Sequence, residues 1–426
     1  RICHSKGDTV TEDRSHVIRK GEFHRNPQQY VVIPAHTRVL HRKLNQKQPL
    51  VKRTLVEKGY NHAVVRGPVA IVASGIAASY VQEVLPDGVS FMKIGAYPID
   101  EEWLSAFVRQ HEMVLVVEEL HPVVEEAVRQ VAGCVAVNGK KNGMVPYEGE
   151  LSTVAVAKIM QACGIAPSRV FSEPSPVGDV PSRPPILCAG CMHRPVFYAM
   201  RKVFKDGIFP SDIGCYTLGL QLGAVDTTIC MGASITVASG IAQSGEDRDV
   251  VATIGDSTFL HTGIPGLLNA VYNGAKMILV ILDNRVTAMT GHQPNPSSGM
   301  TACGTPVPPV SLEAICRACG VSYVETVDPY DLVSLLSVLK EARERPGVKV
   351  IIARQPCVIT ARRSGMRRGR YQVDPETCTA CGLCVKFGCP AIEKAGEKAF
   401  INDLCSGCGV CVQICPAGAI GREVKR

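Results

Sequence analysis

From Gly67 onward, apolar runs alternate with amphipathic ones. "GPVAIVASG" is an apolar run closing on Ser74-Gly75, and "IAASYVQEVL" carries helical periodicity. The strand "VSFMKIG", the helix "DEEWLSAFVRQ", the strand "MVLVVEEL" and the helix "VVEEAVRQVAG" follow in turn. Strand and helix in alternation imply an α/β domain with a parallel sheet, here over 64–165. A second alternating region, 186–360, predicts strands at 249–257, 276–284, 321–327 and 348–355. These strands are apolar through most of their length, as expected where helices cover both faces. Ligands of such sheets bind beyond the carboxyl ends of the strands, and Gly255-Asp256-Ser257 and Asp283-Asn284 fall at two such ends.

Elsewhere the periodicity stops. Residues 1–63 are polar and basic and are expected to form a linker or the tail of an upstream domain. The chain opens on Arg1, and an upstream segment is expected. The proline-rich span 166–185 reads as an extended linker. The basic run "ARRSGMRRGRYQV" leads into a small C-terminal domain at 373–426. As the linker 361–372 it is either a solvated connector or a contact for an anionic ligand or partner. "EAICRACG" reads as a helix that buries Cys316 and Cys319, with Cys303 counted among the same core thiols.

A chain of 426 residues, 46% hydrophobic, is long enough for two to four domains with sizeable cores. No apolar run reaches the length of a membrane span, and no secretory pattern opens the sequence. A cytoplasmic protein without membrane or nucleic-acid partners is expected; the net charge of +7 is too small to argue otherwise.

Nineteen cysteines change the picture. Many are grouped as C-x-x-C, which in a chain of this kind points to metal or redox sites. The tail holds "CTACGLCVKFGCP" and "CSGCGVCVQICP". In two-cluster ferredoxins three close cysteines bind one cluster, and the Pro-flanked fourth ligates the other. That logic assigns Cys378, Cys381, Cys384 and Cys415 to one [4Fe–4S] cluster, and Cys405, Cys408, Cys411 and Cys389 to a second. The first run carries one residue more than the standard spacing, at Phe387-Gly388. Zinc is the competing reading, but two triple runs each closed by C-P fit it poorly.

"GDSTFLHTGIPGLLNAVYNGAKMILVILDN" has the spacing of a thiamine diphosphate site. Mg²⁺ takes oxygen ligands, supplied by Asp256, Asn284 and a backbone carbonyl beyond it, while Gly255 admits the phosphates beside Ser257. An ordinary pair of strand-end turns is the alternative. Cys188, Cys191, Cys215 and Cys357 are expected at the same crevice, as ligands of a third [4Fe–4S] cluster or as buried free thiols. His193, His261 and His292 flank these motifs, either as proton carriers or as hydrogen-bonded loop residues.

Taken together, "CAGCMHRPVFYAMRK", "SDIGCYTLG", "DTTICMGASI", "GDSTFLHTGIPGLLNAVYN", "DNRVTAMTGHQPNP", the "VVEEL" strand and the double ferredoxin tail resemble the large subunit of the indolepyruvate:ferredoxin oxidoreductases. The likeness runs in order through nearly the whole chain. It implies a transketolase C-terminal-like domain at 64–165 and a thiamine diphosphate-binding domain at 186–360, both α/β with parallel sheets, plus an α+β two-cluster ferredoxin domain. It implies oxidative decarboxylation of an aryl 2-oxoacid to arylacetyl-CoA and CO₂, with coenzyme A as co-substrate. Electrons would pass through the clusters to an external ferredoxin, and a small beta subunit would be the partner. The resemblance gives Mg²⁺ the carbonyl of Val286 as third protein ligand. It also matches Cys188, Cys191, Cys215 and Cys357 to a third cluster.

Two departures accompany the likeness. The family's large subunit begins with a pyrimidine-binding domain that holds the activating glutamate, and this chain offers no counterpart; Glu118 and Glu119 lie in the wrong domain. A truncated or split subunit, incomplete for catalysis, is the expectation, with His193 the remaining catalytic candidate. The second departure is Cys188-Ala-Gly-Cys191-Met-His193, where the family reads C-P-G-C-P-H. A non-catalytic iron–sulfur electron-transfer subunit with a vestigial thiamine domain is the alternative.

Overall fold

The structure, a computed structural model, describes residues 21–169, 171, 178, 181, 183–366 and 368–423. It divides into two compact units, Arg1–Val180 and Pro181–Arg426. No helix among the described residues is long and apolar enough to cross a membrane.

The first unit is built on strands β1 (His62–Val64), β2 (Val69–Ser74), β3 (Ser90–Ile94), β4 (Met113–Val117) and β5 (Ala136–Asn138). They are arranged β1-β3-β2-β4-β5. β2 to β5 run parallel, and β1 closes one edge antiparallel to β3. The sheet is therefore mixed, and it begins inside the span 1–63 that sequence assigned to a linker. Polar hydrogen bonding sets that edge: the buried Asn61 accepts from the Gly95 and Ala96 amides at 2.8 and 2.9 Å. Helices cover both faces and form two apolar layers, one around Ile71, Leu115 and Met160 and one around Val72, Leu104 and Val116.

The linker reading of 1–63 needs a second correction. Pro34–Glu57 is a 24-residue helix that buries no residue. Arg, Leu, Lys and Gln are good helix formers, so propensity makes a helix where no apolar stripe advertises one. Residues 1–20 lie outside the described residues, as does much of the proline-rich span 166–185.

The second unit has a parallel sheet of β6 (Val251–Gly255), β7 (Met277–Asp283), β8 (Tyr323–Val327) and β9 (Val348–Arg354), ordered β6-β7-β9-β8. The segment 208–211 continues it beyond β6 through parallel bridges Ile208↔Val250 and Ser211↔Thr253. Every β6 and β7 residue is buried, and the two faces feed separate apolar cores. Both faces being covered explains the uninterrupted apolar strands. Leu312–Ala318 is a helix, with Cys316 buried and Cys319 packed on the same core.

The C-terminal segment pairs β10 (Tyr371–Val373) with β13 (Ile420–Arg422), and β11 (Ile392–Ala395) with β12 (Lys398–Ile401), all antiparallel. It does not keep a wholly separate core: Phe387, Val410 and Ile414 join the apolar cluster of the larger sheet. The Phe387 ring meets Tyr198 edge-on at 5.6 Å, so the extra residue in the first cysteine run sits at an anchor. The basic linker 361–372 is also not merely solvated. Arg362 donates to the Leu404 carbonyl, and Arg368 donates to Gln355 while lying 4.8 Å from the Tyr330 ring centroid. These arginines tie the tail to the sheet, because their long side chains reach local carbonyls and an aromatic face.

Candidate active site

Four loops leave the carboxyl ends of the sheet together: 212–216 after the bridged segment, 255–258 after β6, 284–288 after β7 and 355–357 after β9. Gly255, Asp256, Ser257, Asn284 and Val286 line one cavity of about 90 Å³. Asp256 opens a helical stretch that continues, through a π turn at Phe259–Gly263, to Tyr272. Its Oδ2 accepts from Asn295 Nδ2 at 3.0 Å and Ser297 Oγ at 2.9 Å. Oδ1 is left without a side-chain partner among the described residues. Burial, with Asp283 nearby, pushes the Asp256 pKa above the ordinary carboxylate range; a buried anion of this kind calls for a cation.

The rest of the cavity is held by short links. Asn284 Oδ1 accepts from the Val286 amide at 3.1 Å, and Thr287 donates to Ser257 Oγ at 2.8 Å. Asp283 anchors the loop through Arg354 at 2.6 Å and Arg285 at 3.4 Å. Gly255 is required: a Cβ there would stand 2.7 Å from the Tyr216 ring. A carboxylate, a carboxamide and backbone carbonyls beside a helix N-terminus form the donor set a Mg²⁺-diphosphate takes. These residues fit the group.

A second cavity of about 130 Å³ adjoins the first. Cys188, Cys191, Cys215 and Cys357 all line it, and its remaining wall is largely apolar, with Leu187, Met192 and Leu218 among its residues. His193, Cys215, Asn284 and Ala288 line both cavities. The Cys357 amide donates to the Asn284 carbonyl at 3.0 Å, so one hydrogen bond joins the cysteine loop to the metal loop. Burial pushes the Cys191 thiol up to about 12, so an anionic sulfur there needs a cationic partner such as iron. His193 sits 3.1 Å from Cys191 Sγ through Nδ1, its Nε2 is buried without a partner, and burial lowers its pKa to about 4. Four thiols around a largely apolar chamber suit an iron–sulfur cluster.

The tail cysteines divide between two further cavities. Cys378, Cys381, Cys384 and Cys415 line one, and Cys389, Cys405, Cys408 and Cys411 line the other. Each group brings together four thiols, the number one such cluster takes. The second group lies against the Cys188 loop. Gly190 has φ +72°, and a Cβ on it would stand 1.7 Å from Ser406 Oγ, so only glycine permits this approach. Tyr330 donates to the Gly190 carbonyl at 2.6 Å, and Gln413 donates to the Tyr330 carbonyl at 2.7 Å.

Residues 212–353 match the model of the thiamine pyrophosphate enzymes' C-terminal TPP binding domain, and residues 370–416 match a 4Fe-4S dicluster domain. The chain is 44% identical over 421 residues to indolepyruvate oxidoreductase subunit IorA of Archaeoglobus fulgidus, covering 94% of this chain and 67% of that protein. It belongs to the IorA family. The subunit of the same name from Methanothermobacter marburgensis is 39% identical, over all of this chain and 72% of its own length. A solved 2-oxoglutarate:ferredoxin oxidoreductase from Magnetococcus marinus is 23% identical with a TM-score of 0.37, covering 42% of this chain and 66% of that one. As an IorA-family chain with these two domains, it is a thiamine diphosphate-dependent, iron–sulfur subunit of a 2-oxoacid oxidoreductase.

Sequence motifs of the IorA-family chain thus converge on one crevice, with exceptions. His292 joins the cysteine cavity, with Nε2 buried and unpartnered, whereas His261 is exposed and lines neither cavity. Cys303 is exposed rather than a core thiol, because its loop lies outside the sheet and its covering helices. Glu118 caps a helix of the first unit, accepting from the Val124 and Glu125 amides. Sequence reasoning missed Asn295, Ser297, Tyr216 and Arg194. "HQPNPSS", a polar, proline-broken stretch just past the second metal motif, was the available signal for the first two.

Proposed function

We propose that this chain carries the thiamine and iron–sulfur machinery of an aryl 2-oxoacid oxidoreductase acting on indolepyruvate. One 2-oxoacid and one coenzyme A would give an acyl-CoA, CO₂ and one proton, with two electrons passed singly to ferredoxin and a beta subunit completing the enzyme. The carrying observation is the wall shared by the two cavities, where His193, Cys215, Asn284 and Ala288 face both.

Bound thiamine diphosphate supplies the carbanion chemistry of decarboxylation; the protein orients it and removes electrons. Asp256 and Asn284, with the Val286 carbonyl, hold Mg²⁺, while Asn295 and Ser297 orient the Asp256 carboxylate. Cys188, Cys191, Cys215 and Cys357 would hold a cluster beside the thiamine crevice, which would supply a one-electron acceptor there. Cys389, Cys405, Cys408 and Cys411 hold the next, approached across the Gly190–Ser406 contact. Cys378, Cys381, Cys384 and Cys415 hold the cluster that serves ferredoxin. His193, with its free buried nitrogen toward this wall, orients a polar group rather than carrying charge, since burial keeps its ring neutral.

The test is anaerobic viologen reduction by the complex isolated with this chain, using indolepyruvate with and without coenzyme A and a panel of other 2-oxoacids. Reduction that requires coenzyme A and is fastest with indolepyruvate is expected. Intact clusters with no reduction by any 2-oxoacid would overturn the reading.

A further inference from the structure

One buried charge lies between two of the cysteine groups and takes no part in the roles above. Arg194 is 3% exposed, on the helix His193–Val203. Its Nη2 donates to the Leu187 carbonyl at 2.6 Å and its Nη1 to the Gly388 carbonyl at 2.5 Å. Leu187 immediately precedes Cys188, and Gly388 immediately precedes Cys389. One guanidinium therefore grips the backbone just ahead of a cysteine in each of two groups. Its Nε is buried without a partner. Among the described residues no carboxylate pairs with it.

A buried cation without a counter-ion is destabilising unless anionic groups surround it. Burial depresses the Arg194 pKa, and the groups that oppose this are Cys389, Cys191, Cys188 and Cys408, two from each group. None comes from the group of Cys378. Thiolate-ligated clusters are net anions and gain one more negative charge on reduction. A fixed positive charge beside them favours the reduced form, with no proton needed.

We propose that Arg194 is the positioning residue that joins the Cys188 and Cys389 ligand loops and raises the reduction potential of both flanking clusters, leaving the third cluster untouched. This rests on the cluster assignment above. The guanidinium makes the first hop out of the thiamine crevice more favourable. It also lets the outermost cluster keep a lower potential, from which ferredoxin can be reduced. Its two carbonyl bonds hold the loops in register.

The experiment is EPR-monitored redox titration of the anaerobically isolated complex, comparing the parent with Arg194→Gln and Arg194→Lys. Iron and sulfide are measured in each, and Cys381→Ser assigns the outer cluster's signal. In Arg194→Gln the equilibrium constant for reduction of both inner clusters should fall about tenfold, ~59 mV for a one-electron couple. The outer cluster should not move. Arg194→Lys, which keeps the charge, should stay close to the parent.

Unchanged midpoints in a fully loaded Arg194→Gln would overturn the proposal. So would an equal shift of all three clusters, or a shift in Arg194→Lys as large as in the glutamine variant. If Arg194→Gln loses iron, a fully loaded Arg194→Lys must keep the parent midpoints. Loss of iron from both variants reduces Arg194 to a structural residue and overturns the electrostatic role. A parent that loads only the tail pair sinks the third-cluster reading instead. The cluster of Cys389, Cys405, Cys408 and Cys411 must then show the shift alone.

Discussion

The tail cysteines and the thiamine-side cysteines reach the same kind of arrangement by opposite routes. Cys378 to Cys415 are compressed into two short runs whose tight turns bring thiols together locally. Cys188, Cys191, Cys215 and Cys357 come from three separate segments, the turn before the helix His193–Val203 and two loops at the carboxyl ends of the parallel sheet, and meet only through the fold. The local arrangement needs a small hairpin scaffold. The distributed one needs the whole sheet, and in exchange it stands beside the cavity of Asp256 and Asn284.

The sharpest way to break this contrast is to remove the polar side alone. Asp256→Ala takes away the carboxylate of the metal site. Mg²⁺-dependent thiamine diphosphate affinity should fall more than ~100-fold by isothermal titration calorimetry. Iron bound by the tail should not change. Affinity within a few-fold of the parent would detach Asp256 from the cofactor.

Next come single thiols, one from each route. Cys408→Ser should cost the cluster shared with Cys389, Cys405 and Cys411 and spare that of Cys378. Cys357→Ser should cost the thiamine-side cluster and leave both tail clusters loaded. The backbone amide that Cys357 donates to the Asn284 carbonyl is kept by serine, so thiamine binding should stay close to that of the parent. Iron content and EPR signals read both variants. Full iron in either would refute that ligand set.

The same contrast governs what the sequence revealed. The ferredoxin runs were legible because their spacing is itself the geometry. The principal strands were legible because apolar runs of that length between helices have few other uses. Asp256 and Asn284 were legible as strand ends at a known interval. The helix Pro34–Glu57 was not, because it buries nothing and carries no stripe. Arg194 was not, because an arginine after a histidine on an amphipathic helix reads as surface until the tail is packed against it. The Phe387-Gly388 insertion was visible only as a spacing anomaly. Its meaning, an aromatic anchor plus a carbonyl for Arg194, depends on a contact across the chain.

A milder probe asks how firmly the Asp256 cavity is preorganised. Ser297→Ala removes one of the two side-chain donors on Asp256 Oδ2, together with the hydroxyl 2.7 Å from Asn295 Oδ1, and keeps the amide that Ser297 donates to that oxygen. Outer-shell partners of metal ligands are worth about 10–100-fold in metal affinity. The Mg²⁺ concentration needed for half-maximal thiamine diphosphate binding should rise by that factor, with cluster content unchanged. No rise would mean that Asn295 alone orients the carboxylate.

The smallest effect tests whether the two cysteine regions behave as one body. Tyr330→Phe deletes the hydroxyl that donates to Gly190 and keeps the ring beneath Arg368. A single buried hydrogen bond contributes ~1 kcal/mol. The Gly190 carbonyl is left without that donor at the Ser406 contact. Because the tail shares Phe387, Val410 and Ile414 with the core of the sheet, this loss should lower the stability of the whole second unit by ~1 kcal/mol in one transition. Denaturation followed separately by cluster absorbance and by far-UV circular dichroism decides it. Coincident transitions, both displaced, fit a single cooperative body. Two separate transitions, only one of them displaced, would show that the tail folds on its own and that the distributed site is merely its neighbour.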